Sequence, residues 1–123
     1  MEALPRRFHL PEIVARGALC AVLLVASVAY GAEPRIVEIT ARRFEFAPAE
    51  VVLKKDEVVT LRLRSLDVTH GFFQRALGID LEIEPGKVTE VTLTPRTPGR
   101  YLTICDHFCG SGHGNMKMTF VVQ

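Results

Sequence analysis

The 123-residue chain predicts an all-β fold, a Greek-key sandwich behind an N-terminal leader. Three observations carry this prediction. Beyond residue 32, apolar side chains recur with period two in short runs. Turn signals separate those runs, and no stretch shows a long helical period. About seven such strands in roughly 90 residues suit a sandwich whose loops gather at its two ends. The length allows one domain with a real core and is too short for two.

The leader spans residues 1–32. Arg6, Arg7 and Arg16 precede an uncharged run, GALCAVLLVASVAYGA, which is the charge order of an export signal. Ser27, Ala29, Gly31 and Ala32 offer small residues for cleavage, after Ala29 or after Ala32. The competing reading is an uncleaved anchor, but a spanning helix needs about 20 apolar residues and this run is shorter. Cys20 follows Leu19 rather than a small residue, which argues against a lipid anchor. Either way the domain at 33–123 is expected in the periplasm or on the periplasmic face of a bacterial inner membrane. Without the leader, 12 basic and 12 acidic side chains remain. That balance gives no case for nucleic acid.

Along the domain, Val37, Ile39 and Ala41 alternate with Glu38, Thr40 and Arg42. The apolar phase then shifts between Ala41 and Phe44, predicting a bulge or bend. Residues 49–53 form the next candidate strand. Val59, Leu61 and Leu63 alternate within 58–66, with His70 expected on the loop that follows. Further strands are expected at 71–74, 87–93, 100–104 and 118–122. Turn signals lie at 54–57, at Glu84-Pro-Gly and at Thr97-Pro-Gly. Met118 alternates with Phe120 and Val122, which marks it as core.

Between the last two strands the chain reads CDHFCGSGHGNM, with the spacing C-x3-C-x3-H-x2-M from Cys105 to Met116. Thiolate, thioether and imidazole are soft ligands that suit copper, whereas magnesium, calcium and manganese prefer oxygen. Free cysteine and methionine used only for packing would be scattered. Here all of the domain's cysteine, histidine and methionine except His70 lies within 105–118. Outside the cytoplasm a Cys105–Cys109 disulfide competes with this reading, but it would need neither His113 nor Met116.

Three metal sites compete for the same residues. Zinc would take Cys105, Cys109, His113 and His70 tetrahedrally and leave Met116 unexplained. A mononuclear blue-copper site would take Cys109, His70, His113 and Met116 and leave Cys105 over. Two cysteines spaced C-x3-C can instead bridge two coppers, with one histidine for each metal and a weak axial ligand at each end. That arrangement uses every residue.

With DVTHGFF upstream, and IEPGKVTEVTLTPRTPGRY and ICDHFCGSGHGNM following in order and spacing, residues 44–122 resemble the binuclear copper A (CuA) domain of cytochrome c oxidase subunit II, of the cupredoxin superfamily. Nitrous-oxide reductase carries a similar module. The resemblance implies a cupredoxin-like sandwich in which Cys105 and Cys109 bridge two coppers. It implies that His70 and Met116 complete one metal, and that His113 with the backbone carbonyl of His107 completes the other. Many subunit II sequences have glutamate where this chain has His107. Many also use a tryptophan-containing patch where cytochrome c delivers its electron, and this chain has no tryptophan. Asp67, Asp80 and Asp106 are candidates for an acidic rim that attracts a basic partner.

The function implied is shuttling of single electrons, with cytochrome c or a similar donor and subunit I of a haem-copper oxidase as partners. With every ligand supplied by protein, no open position remains to activate a substrate. A stand-alone periplasmic copper carrier or chaperone is the alternative.

Overall fold

A computed structural model describes Ser27 and residues 31–123. The expected leader, including Cys20, falls outside the described residues apart from Ser27, Gly31 and Ala32. Among the described residues no helix is long and apolar enough to cross a membrane.

Among the described residues nine strands form two sheets: β1 (Arg35–Arg42), β2 (Glu45–Ala47), β3 (Glu50–Leu53), β4 (Val59–Ser65), β5 (His70–Gln74), β6 (Ile79–Ile83), β7 (Val88–Leu93), β8 (Gly99–Ile104) and β9 (Lys117–Val122). One sheet has the order β2-β1-β4-β7 and the other β3-β9-β8-β5-β6. Two pairings, β1 with β4 and β3 with β9, are parallel, so the chain crosses between sheets rather than meandering within one. This is the sandwich the alternating pattern predicts.

The period-two residues point inward. Ile39, Ala41, Leu61, Leu63 and Phe120 are fully buried, and Val37 and Met118 nearly so. Burying the valine, leucine, isoleucine, methionine and phenylalanine side chains among these stabilises the fold by about 1.5–3 kcal/mol each. Phe46 from β2, Phe72 from β5 and Phe120 from β9 stack edge to face, with centroids 5.2 and 6.2 Å apart, and so tie the two sheets together.

Two sequence expectations are corrected and one is narrowed. The phase shift after Ala41, expected as a bulge or bend, is a bend in the form of a tight turn: Arg42 pairs with Glu45 and Ala41 with Phe46, which makes β1 and β2 a hairpin around Arg43 and Phe44. Two strands, β2 and β6, add to the seven expected. His70 opens β5, paired with Ile83, rather than sitting in the loop after β4. Glu84-Pro-Gly behaves as its composition predicts. Gly86 takes φ +80° and the Lys87 N–H returns to the Glu84 carbonyl at 3.4 Å.

Because β5 and β8 are antiparallel, meeting at Phe73 and Ile104, the start of β5 and the end of β8 share one pole. The β8–β9 connection, residues 105–116, emerges there.

Candidate metal centre

Strand ends place His70, Cys105 and Met116, and the β8–β9 loop carries His107, Cys109 and His113. The Cys105 N–H donates to the Met116 carbonyl at 3.1 Å, which closes the β8–β9 loop at its mouth. Inside the loop, Gly110 takes φ +140°. The Phe44 ring packs so tightly on Gly112 that a Cβ there would lie 2.5 Å from a ring carbon. The loop glycines therefore make room for an aromatic neighbour as well as for turns. A one-turn 3₁₀ helix at His113–Asn115 then returns the chain to β9.

Cys105 and Cys109 are buried free thiols with their sulfurs 3.8 Å apart, so no disulfide links them. The ligand atoms of His70, Cys105 and Cys109 lie within 4.8 Å of one another. Met116 places its thioether sulfur 3.9 Å from the Cys109 sulfur, and His113 places Nδ1 at 4.0 Å from it. The backbone carbonyl oxygen of His107 lies 3.1 Å from the Cys105 sulfur. Its ring turns away, half-exposed, toward Glu82 at 3.5 Å. All six expected residues thus gather at the pole, His107 through its main chain.

The chemistry of His70 tests whether this pocket suits a metal. The ring is fully buried, Nε2 lies 2.6 Å from Asp67 Oδ1, and Nδ1 has no hydrogen-bond partner among the described residues. A carboxylate acceptor fixes the proton on Nε2 and leaves a bare lone pair on Nδ1. A buried, unpaired polar atom costs about 1–3 kcal/mol. On a ring that brings a nitrogen within 4.8 Å of both thiol sulfurs, this lone pair is the donor a soft metal ion would use. The residues present fit copper.

Asp67 is placed for this task. Burial favours its protonated form, but hydrogen bonds from the Arg43 N–H, the His70 ring and the Val68 N–H outweigh that and bring the carboxyl down to about 2. Burial first, and then the adjacent Cys105 sulfur, push the Cys109 thiol up to about 11. Without metal this thiol keeps its proton at neutral pH.

Two contributors were not legible as site residues in the sequence. Arg43, in the β1–β2 turn, donates from Nε to the Cys109 carbonyl at 2.7 Å and from its N–H to Asp67 Oδ2 at 2.7 Å. Gly71 lets the ligand loop approach β5: a Cβ there would sit 2.0 Å from Asp106 Oδ1 and 2.6 Å from the His107 nitrogen. Phe108 projects from the loop with 76% of its surface exposed, and its ring lies 5.9 Å from that of His113.

Comparison with known proteins bears on the family and the fold. A family model for the cupredoxin-like domain matches residues 15–122. Two Thermus thermophilus sequences of cytochrome c oxidase subunit 2 are each 35% identical over 98 residues, 80% of this chain. The match spans 73% of one and 58% of the other. Among solved structures, a haem-copper terminal oxidase dimer matches with TM-score 0.67 and 27% identity, over 72% of this chain and 65% of that one. The periplasmic domain of cytochrome oxidase subunit II from Bradyrhizobium japonicum matches with TM-score 0.68 at 18% identity, over 76% of this chain and 86% of that one, a likeness of fold.

Proposed function

The chain belongs to the cupredoxin-like domain family and, within it, to the cytochrome c oxidase subunit 2 proteins, and we propose that it carries single electrons through a binuclear copper centre. The observation that carries this is the pair of buried free thiols 3.8 Å apart beside the unpartnered Nδ1 of His70. A mononuclear site has no use for the second thiol.

Cys105 and Cys109 would hold both coppers between them. His70 and Met116 would complete one, and His113 with the His107 carbonyl the other. When bound, copper supplies a one-electron couple that needs no proton and no substrate. The chain's own residues hold the donors still and keep water out. His70, Cys105, Cys109 and Met116 are all buried, while His113 and the exposed Phe108 mark the side open to solvent. Nothing in the donor set is left to activate a substrate.

As subunit II of a haem-copper oxidase, the domain would take electrons from cytochrome c or a similar donor and pass them to subunit I. Residues 1–32 would direct residues 33–123 to the periplasm or its membrane face. The copper-loaded full chain tests the central claim. Two coppers per chain, with one unpaired electron shared over both nuclei in the electron resonance spectrum, are expected. One copper with a localised signal would establish a mononuclear blue-copper site instead.

A further inference from the structure

The β1–β2 turn carries two consecutive arginines with different partners. Arg42 pairs with Glu45 across the hairpin at 2.6 Å. Among the described residues, no ion pair engages the Arg43 guanidinium. Its Nε turns instead to the ligand loop, 66 residues further along the chain, and donates to the Cys109 carbonyl at 2.7 Å. Its main-chain N–H donates to Asp67 Oδ2, and Oδ1 of that carboxylate holds His70. A single residue therefore touches both arms of the site, the one that brings His70 and the one that brings Cys109. Next to it, Phe44 packs its ring on Gly110 and Gly112, so the hairpin turn braces the loop from outside along its second half.

A charged donor on a carbonyl is roughly twice as strong as a neutral one, and guanidinium keeps its charge at every pH a protein experiences. The contact is part-buried, where charges act over a lower effective dielectric than in water. Gain of one electron lowers the net positive charge of the site by one, with no bond made or broken. A fixed cation beside the site favours that lower-charge state.

We propose that Arg43 is a positioning residue of the copper centre, whose side chain clamps the Cys109 end of the ligand loop and whose charge holds the reduction potential up. This rests on the copper reading given above. Its test uses the full chain as wild type and as Arg43→Ala, Arg43→Lys and Arg43→Gln. Four quantities are measured: copper per chain, the rate of copper loss to a chelator, the midpoint potential, and the thermal midpoint of the metal-free chain. Arg43→Ala is expected to lose copper faster, on the order of tenfold, as for other outer contacts of metal ligands, and to show a lower potential. Arg43→Lys, with charge but no planar fork, should recover most of the potential. Arg43→Gln, with a donor but no charge, should recover copper retention and leave the potential low. A potential unchanged in Arg43→Ala would overturn the assignment, whether copper loss is unchanged or rises only in step with a fall in the metal-free thermal midpoint. A wild-type chain that binds no copper would instead remove the reading on which the assignment rests.

Discussion

His70 and Asp67 form a one-sided pair: Nε2 is held 2.6 Å from the Asp67 carboxylate, while the buried Nδ1 has no hydrogen-bond partner among the described residues. The carboxylate thus selects which nitrogen is free to bind. Asp67→Ala should weaken copper binding by about 10- to 100-fold in a chelator competition. Asp67→Asn keeps an oxygen acceptor for Nε2 and should lose less. Equal losses in the two variants would show that the carboxylate acts through charge alone.

The same carboxylate sets an acid limit. Its pKa is lowered in the fold from 3.8 to about 2, so the stability it contributes is fully present above pH 4 and is lost as pH falls through 2. Metal-free wild type should therefore lose thermal stability between about pH 4 and pH 2. Asp67→Asn should flatten that part of the profile. An unchanged profile would mean that the His70 contact forms equally well with a protonated acid.

Copper uptake should release protons and quicken as pH rises. Burial and the neighbouring sulfur hold the Cys109 thiol up to about 11, whereas the metal binds thiolate. Loading followed by stopped-flow absorbance from pH 6 to 9, with proton release read by a pH dye, tests this. A rate independent of pH would mean that thiol deprotonation does not limit binding. Copper should also raise the thermal midpoint, because it binds only the folded arrangement of donors.

Cys105→Ser is the variant that separates one copper from two. It should abolish the shared-electron signal while leaving Cys109, His70, His113 and Met116, a complete mononuclear set. Two coppers per chain surviving in this variant would defeat the bridging assignment. His107→Ala should keep both coppers and most of the spectrum, since only its carbonyl faces the sulfurs. His113→Ala should disturb the centre severely. Similar behaviour of the two would point to a site with three imidazoles.

Gly71→Ala should destabilise the fold by about 1–3 kcal/mol, the usual cost of overpacking, and loosen copper. Its Cβ would meet the Asp106 and His107 nitrogens at 2.8 and 2.6 Å, and main chain gives way less easily than a flexible side chain. Gly114→Ala, in the ligand loop with open space around it, should stay within about 0.5 kcal/mol of wild type. Chemical denaturation of the two metal-free variants checks the contrast.

The strands that bury one face announced themselves. Val37, Ile39 and Ala41, Val59, Leu61 and Leu63, and Met118, Phe120 and Val122 alternate cleanly and lie inside. β2 was hidden because three residues are too few for a period. β6 was not hidden by chemistry, since Ile79, Leu81 and Ile83 alternate with Asp80 and Glu82. The metal-ligand types were readable because five of the six lie in one loop. The supports were not. Arg43 reaches Cys109 across 66 residues, and Asp67, which looked like part of an acidic rim, is turned onto His70 and the Arg43 main chain. Neither contact leaves a local pattern, because both depend on which strand ends the topology brings to one pole.

The bond from the Cys105 N–H to the Met116 carbonyl makes the ligand loop an extension of the β8–β9 ladder, held at both ends by the sheet. For a protein that must change charge by one unit and change back, this sets the pace. Donors anchored in a packed framework would shift little between the oxidised and reduced forms of a bound copper, which would keep the reorganisation energy small. Electrons would then cross at low driving force, with little of the available potential lost as heat on the way.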